Sequence, residues 1–415
     1  MSLRQNFIVY REDLLGASET FVVGQSESLP HFSPFYVGLR RRSGLTPPES
    51  QVHIVGGEGL AGKVQRARFK LVGSSRELQS MLAAKNPTLI HAHFAPDGSN
   101  AIALARSLDL PLIVTLHGYD VCVDDSLLPS LYLRRRELLK ARASRFICVS
   151  DFVRQQAIAK GFPAEKLIVH YTGIDVEAFS GGPHVSCAPV VLFVGRLVAK
   201  KGCEYLIRAM VRVQEVAPAA SLIVIGDGPL REELQSQALA TLRNFRFIGE
   251  QEPTVVRNYM NHSKVFCTPS VRAQSGDAEG FGMIFAEAQA MGLPVASFVS
   301  GGIPEAVADG QTGFLVPERD VDSLSMKLLL LLSDKDIWTT MSDAGQLRAR
   351  KLFDIRKQAT HLEKIYDDVM SEWNASSRSE RFDRPAVVTD ESSCSVQVET
   401  EDQNSPELIA SLRNS

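Results

Sequence analysis

The chain has no Cys-x-x-Cys pair, no long apolar run and almost no net charge. Its six cysteines, Cys122, Cys148, Cys187, Cys203, Cys267 and Cys394, are scattered, a spacing that supports neither a zinc site nor a disulfide framework. Most sit in strand-like contexts such as RFICVS and KVFCTPS, where a free thiol behaves as a small buried hydrophobe. The longest aliphatic run, Leu328 to Leu332, falls far short of the ~20 residues that span a bilayer. With 45 Lys+Arg against 48 Asp+Glu, the formal charge of −3 is too near zero for a bulk nucleic-acid binder. The opening MSLRQNFIVY shows no apolar segment with a cleavage site, so no secretory signal is expected. These absences predict a soluble cytoplasmic protein.

What is present is ordinary globular composition, 44% hydrophobic and 22% charged, which excludes a mostly disordered chain. At 415 residues the chain is about three times the ~150-residue single-domain prior, which predicts two domains. Residues 1–180 carry 21 Lys+Arg against 17 Asp+Glu, residues 181–372 carry 20 against 23, and residues 373–415 carry 4 against 8. The first part is therefore mildly basic and the tail acidic. Short β-branched runs alternate with helical patterns, pointing to parallel sheets with crossover helices. Strands are predicted at 7–10, 51–55, 88–91, 111–116, 145–149 and 166–170 in the first half. The second half has them at 190–194, 221–225, 245–248, 264–268, 294–298 and 313–316. SGGPHVSCAP (180–189) reads as the linker, and a helical stretch near 345–372 ends the folded part. From Asn374 the chain holds nine serines without periodicity and reads as disordered.

Chemistry concentrates at strand ends. Glu279 and Glu287 lie eight residues apart, with Gly280-Phe281-Gly282 after the first and a helical pattern from Met283 to Met291. A helical spacing of eight is ~12 Å along the axis, whereas carboxylate pairs of retaining glycosidases sit ~5–5.5 Å apart. The two acids are therefore expected to touch different parts of one long ligand, with backbone N–H groups at the helix start facing an anion. The alternative is a loop residue and an exposed helix residue. Gly195-Arg196 closes a strand and Lys201-Gly202 opens the next helix, so both cations can meet a diphosphate outside the strand ends. Gly226-Asp227-Gly228-Pro229 is a further strand-to-helix turn, with Pro229 suited to the first helical position; it is either structural or nucleotide-binding. His117-Gly118-Tyr119-Asp120 follows the strand PLIVTL.

Taken in order, VGRLVAKKG (194–202), GDGPL (226–230), EGFGMIFAE (279–287), GLPVAS (292–297) and SGGIPEAVADGQTGFLV (300–316) resemble the family 4 glycosyltransferases, retaining and nucleotide-sugar-dependent enzymes of GT-B fold. The resemblance covers roughly residues 1–372 and is strongest from Val190 to Pro317. SETFV (18–22) and IHAHFAPDG (90–98) look like bacterial exopolysaccharide enzymes of the colanic-acid and amylovoran type.

The resemblance implies an α/β GT-B architecture, two Rossmann-like doubly wound domains facing across a cleft. Residues 1–180 would bind acceptor and 181–350 the nucleotide sugar; 351–373 would be a helix crossing back to the first domain, and 374–415 a disordered tail. It assigns Arg196 and Lys201 to the donor's phosphates, Glu279 to the sugar hydroxyls and Glu287 to the ribose. Gly195, Gly226, Gly228, Gly280, Phe281, Gly282 and Met283 would complete the donor site. His117 would face the donor sugar and acceptor, with Asp120 orienting acceptor or local structure. The implied reaction moves a sugar from a nucleotide-diphosphate sugar to a saccharide or lipid-linked acceptor, with no metal or other cofactor. An inactive sugar-nucleotide-binding scaffold and a pyridoxal-phosphate-dependent phosphorylase are the rivals.

Two apparent metal motifs are rejected. His91-Ala-His93 lacks a third ligand, and Asp320-Val321-Asp322 precedes a leucine-rich helix that it is suited to cap. Arg134, Arg135, Arg136, Lys140 and Arg142 share one predicted helix with Leu131, Leu133, Leu138 and Leu139. Arg40–Arg42, Lys63, Arg66, Arg68 and Lys70 add charge in the same domain. A basic helix of this kind is either a solvated face or a peripheral contact with an anionic membrane, at its cytoplasmic side.

Overall fold

The computed structural model describes residues 4–14, 16, 20–42, 47–57, 59–73, 75–180 and 188–376. Most of the expected linker and the tail from residue 377 on lie outside these, as do Cys187 and Cys394. The other four cysteines are buried free thiols.

The first sheet has seven parallel strands: β1 (Gln5–Tyr10), β2 (Phe32–Gly38), β3 (Val52–Ile54), β4 (Pro87–His93), β5 (Leu112–Leu116), β6 (Arg145–Cys148) and β7 (Leu167–Val169), in the order β3-β2-β1-β4-β5-β6-β7. The second has six: β8 (Val190–Val194), β9 (Ser221–Ile225), β10 (Phe245–Gly249), β11 (Val265–Cys267), β12 (Val295–Phe298) and β13 (Gly313–Val316), in the order β10-β9-β8-β11-β12-β13. In both, strand order reverses beside the first strand, and open α/β sheets bind ligands in the crevice this leaves at the carboxyl ends. Two short strands, Asp13–Leu14 and Arg40–Arg41, pair separately beside the first sheet.

The strands are apolar because both faces are covered. Ile8, Tyr10, Ile90, Ala92, Val114 and Phe146 join one core. Their alternates Phe7, Val9, Leu89, Ile113 and Ile147 pack on the other face against Leu362, Ile365, Tyr366 and Val369. Those last four belong to the helix Ile355–Ala375, which follows the second domain in sequence and closes the first sheet in space. Full burial of such side chains contributes ~1.5–3 kcal/mol each. The helical stretch expected near 345–372 is therefore two helices, Lys335–Leu352 and Ile355–Ala375, with Asp354 capping the second through the Arg356 N–H (3.0 Å).

Besides the two short strands, one strand of the main sheets escaped the sequence reading. β2 contains Pro34, which lacks an N–H and argues against a central strand. The structure shows why it is tolerated: β3 pairs only with Tyr36–Gly38, so Pro34 faces β1 on one side and an open edge on the other.

Candidate active site

The two sets of strand ends meet at glycines. A Cβ on Gly280 would lie 2.3 Å from the His117 carbonyl oxygen, and one on Gly118 would lie 3.2 Å from the Gly280 Cα. The contact is fixed around its edges. Ser150 Oγ donates to the Gly280 carbonyl (2.5 Å), and the N–H groups of Asp151 and Phe152 donate to the Glu305 carboxylate (2.7 and 2.9 Å). Glu305 also accepts from the Tyr171 hydroxyl (3.2 Å). Phe281, 3% exposed, stacks on Tyr171 with ring centroids 5.3 Å apart. Its side chain thus belongs to the domain junction, leaving its backbone for the cleft.

On the second-domain side, Lys201 follows β8 in a short turn, and its Nζ forms an ion pair with the Glu279 carboxylate. Burial pushes the Glu279 carboxyl up, but the charges of Lys201 and Lys200, with the hydrogen bond from Lys201, outweigh it and hold the group below its usual range. Arg196 is exposed and pairs with no acid among the described residues. Lys200 forms its own ion pair with Asp277 (2.9 Å). Helix Met283–Ala290 starts at Gly282, at φ 81°, with no side chain capping its first N–H groups. Four residues along it, Glu287 is partly buried, and desolvation pushes its carboxyl up to about 7 despite Arg257.

The Gly226-Asp227-Gly228 turn is built into the β8 loop. A Cβ on Gly226 would lie 2.0 Å from the Gly195 carbonyl oxygen, and one on Gly228 would lie 2.5 Å from that of Leu197. Asp227 accepts from the Gly228 N–H (2.7 Å) and pairs with Arg231 (2.5 Å). The following helix starts at Arg231, two residues beyond Pro229, so that proline is not its first residue. Both glycines are thus required by close packing beside Gly195, at the carboxyl ends of β8 and β9.

The first-domain side carries histidines. His117 Nε2 lies 3.1 Å from His93 Nδ1, and the rings of His91, His93 and His117 form a stacked column with successive centroids 4.5 and 5.3 Å apart. Desolvation, helped at His117 by Arg11, pushes His91 and His117 down to about 3 and His93 well below its usual value, so the column is neutral. His91 is engaged by Tyr366 (2.7 Å) and Thr115 (2.6 Å), as expected of a structural histidine. Asp320 caps helix Val321–Ser333 through the Ser323 N–H (2.9 Å). No group of three metal-ligating side chains comes together among the described residues.

Asp120 does not face the cleft as an acceptor ligand would. It is 2% exposed, and its oxygens accept from the N–H groups of Ala95 (2.9 Å) and His117 (3.1 Å), tying the loops after β4 and β5 together. Burial pushes its carboxyl up to about 6 against those hydrogen bonds. The His117 ring instead meets Phe94 (4.5 Å) and Phe21 (4.9 Å). Phe94 holds φ at +70°, a strained value for a bulky residue, and Arg11 covers its ring at 4.3 Å while pairing with Asp97 (2.5 Å). Arg11, Phe21, Phe94 and Glu305 were not singled out from sequence; Phe94 and Asp97 lie within the HAHFAPDG motif, but the partners that give them meaning are remote in the chain.

Part of the charge on the basic helix is engaged within the protein. In helix Ser130–Arg142, Arg136 pairs with Asp125 (2.7 Å). Arg135 donates to Asn100 (3.5 Å), and Lys140 is 8% exposed and donates to Glu137 and the Lys160 carbonyl. Arg40 and Arg42 likewise pair with Asp13. No helix among the described residues is long and apolar enough to cross a membrane.

Two Rossmann-like parallel sheets, with basic and acidic groups gathered where their carboxyl ends meet, define a GT-B type transferase. Residues 35–178 match the family model described as Glycosyltransferase Family 4, and residues 180–348 match that for Glycosyl transferases group 1. The chain belongs to the family 4 glycosyltransferases and is an enzyme of that class. A glycosyltransferase of Methanocaldococcus jannaschii is 26% identical over 72% of this chain and 80% of that protein. The putative colanic acid biosynthesis glycosyltransferase WcaL of Escherichia coli is 31% identical over 57% of this chain. That match spans 59% of WcaL, less than two thirds of its length. Among solved structures, Anabaena HepE, in complex with UDP and glucose, superposes with a TM-score of 0.72 at 21% identity, over 88% of this chain and all of that one.

Proposed function

We propose that the enzyme transfers a sugar from a nucleotide-diphosphate donor to a saccharide or lipid-linked saccharide, with retention at the anomeric carbon, in the synthesis of an exopolysaccharide or other cell-surface glycan. The observation that carries this reading is the apposition of Lys201, Glu279 and the uncapped helix at Gly282 with His117 across the glycine contact. The leaving diphosphate gains charge as the sugar bond breaks. Arg196, Lys201 and the N–H groups around Phe281 and Gly282 offset that charge. Gly195, Gly226 and Gly228 let the β8 and β9 loops close up beside the nucleotide, Met283 adds an apolar contact, and Glu287 accepts from the ribose. Glu279 holds Lys201 until donor arrives, then orients the sugar hydroxyls. Because Glu279 is tied to a lysine, it is a poor free nucleophile, which favours same-face attack assisted by the leaving phosphate. Neutral His117 faces the sugar and acceptor, and Asp120 fixes its loop.

Cationic side chains take the place of a metal in this scheme, so turnover should survive EDTA; loss restored by Mg²⁺ or Mn²⁺ rejects it. A thermal-shift panel of UDP-, GDP- and ADP-sugars identifies the donor, since a ligand at 100 times its Kd stabilises by ~2.7 kcal/mol. The UDP and glucose of the HepE complex place UDP-glucose first in that panel. Turnover with the selected donor, and a product anomer matching the donor's, supports the reading. Binding without turnover on any saccharide acceptor leaves the inactive scaffold instead.

A further inference from the structure

Thirteen large apolar side chains are exposed among the described residues, and four of them lie on one helix, Gly59–Val72: Leu60 at 78%, Val64 at 61%, Leu71 at 72% and Val72 at 60%. At 3.6 residues per turn, Leu60, Val64, Leu71 and the exposed Ala67 between them fall at i, i+4, i+11 and i+7, a single narrow stripe. The helix docks by its opposite side. Gly62 and Phe69 are buried, and Phe69 stacks on Tyr10 with centroids 5.9 Å apart. Nothing in the packing of this helix therefore uses the stripe.

Its charges are of one sign. Lys63, Arg66, Arg68 and Lys70 lie on the helix and no acid does. Lys70 pairs with Glu12 (2.6 Å) and Arg66 donates to the Gly57 carbonyl (2.9 Å). Lys63 and Arg68 are exposed and flank the stripe on its two sides. An apolar stripe edged by cations suits a helix lying in the headgroup region of an anionic bilayer, with its apolar side chains reaching the acyl boundary. A second copy of the same stripe is a poor partner, because the flanking cations would face one another.

We infer that helix Gly59–Val72 is the surface by which the enzyme docks on an anionic lipid bilayer. The assignment deepens the proposed function by saying where a lipid-linked acceptor is met. From the helix, Lys70 reaches Glu12, whose neighbour Arg11 covers Phe94, which packs on His117. The docked face thus leads directly to the first-domain side of the cleft.

Vesicle co-sedimentation tests this without turnover, so its failure and that of the transferase reading are separable. The wild-type chain should bind phosphatidylcholine vesicles containing phosphatidylglycerol and not phosphatidylcholine alone. Binding should weaken with added salt, since surface attraction is screened within ~8 Å at physiological ionic strength. Leu60→Ser/Val64→Ser/Leu71→Ser and Lys63→Glu/Arg68→Glu should each lower partitioning about tenfold or more. Melting temperatures should be unchanged, because all five side chains are exposed. Absence of wild-type binding, or undiminished binding by either variant, overturns the assignment. So does a wild-type dimer that the triple-serine variant converts to monomer without loss of vesicle binding, which would make the stripe a contact between copies.

Discussion

The two walls of the cleft are built on opposite electrostatic plans. The first-domain wall is neutral and internally bonded: three stacked histidines held uncharged by burial, and an aspartate with both oxygens on backbone N–H groups. The second-domain wall is charged and loosely committed: a Lys201–Glu279 pair and, among the described residues, an Arg196 that pairs with no acid and a desolvated Glu287 carboxylate without a hydrogen-bonding partner. A neutral wall can keep its shape whether or not ligand is present. A wall of ions must rearrange its partners when a diphosphate arrives, so the second domain is where ligand binding and charge are coupled.

The largest test of this contrast removes cations from the charged wall. Arg196→Ala and Lys201→Ala should each lower kcat by ~10²–10³, the cost of losing one preorganised donor to developing charge. Both act on one leaving group, so the double variant should lose less than the product. Near-normal kcat in Arg196→Ala, with the fold intact, breaks the assignment of charge stabilisation to this wall.

Acids on the two walls should respond differently to removal. Asp120→Ala leaves two buried backbone donors unpaired and should lower stability by about 2–6 kcal/mol in chemical denaturation, at ~1–3 kcal/mol per orphaned group. Glu287 should behave in the reverse sense. Its folded-state pKa of about 7 exceeds the ordinary 4.5, so the folded state holds the proton longer than the unfolded state. Stability conferred by this residue is then full below pH 4.5 and is lost as pH rises to about 7. Glu287→Gln should accordingly be more stable than wild type above pH 7, by on the order of 1–2 kcal/mol after allowing for its partial exposure. If the ribose donates to the ionised carboxylate, donor affinity should rise through the same range in wild type and stay flat in the variant. A flat wild-type profile removes Glu287 from the donor site. The smallest effect belongs to Lys200→Ala. Its charge is shared with Asp277, and kcat should fall several-fold less than in Lys201→Ala; an equal loss would show that the two lysines act as one cation.

The charged wall was legible in sequence and the neutral wall was not. Arg196, Lys201, Glu279 and Glu287 announce themselves because strand-end glycines and short spacings mark the places where a parallel sheet can meet a ligand. The surroundings of the histidine column come from Arg11, Phe21, Phe94 and Tyr366, and no local pattern joins residues so far apart. Pro34 hid β2, since its tolerance depends on how short the neighbouring strand β3 is. Helical periodicity placed Arg135, Arg136 and Lys140 on one helix. It carried no information about Asp125, Asn100 and the Lys160 carbonyl, which claim those cations from other elements.

The Gly118–Gly280 contact sets how near the two domains can come. With only hydrogen atoms between the Gly280 Cα and the His117 carbonyl, the closed form is defined by the thickness of a bare main chain. A single methyl at residue 280 is therefore a wedge between the two domains. Gly280→Ala would hold the molecule ajar with its ion pairs and histidine column intact, separating the act of gathering ligands from the act of shutting water out.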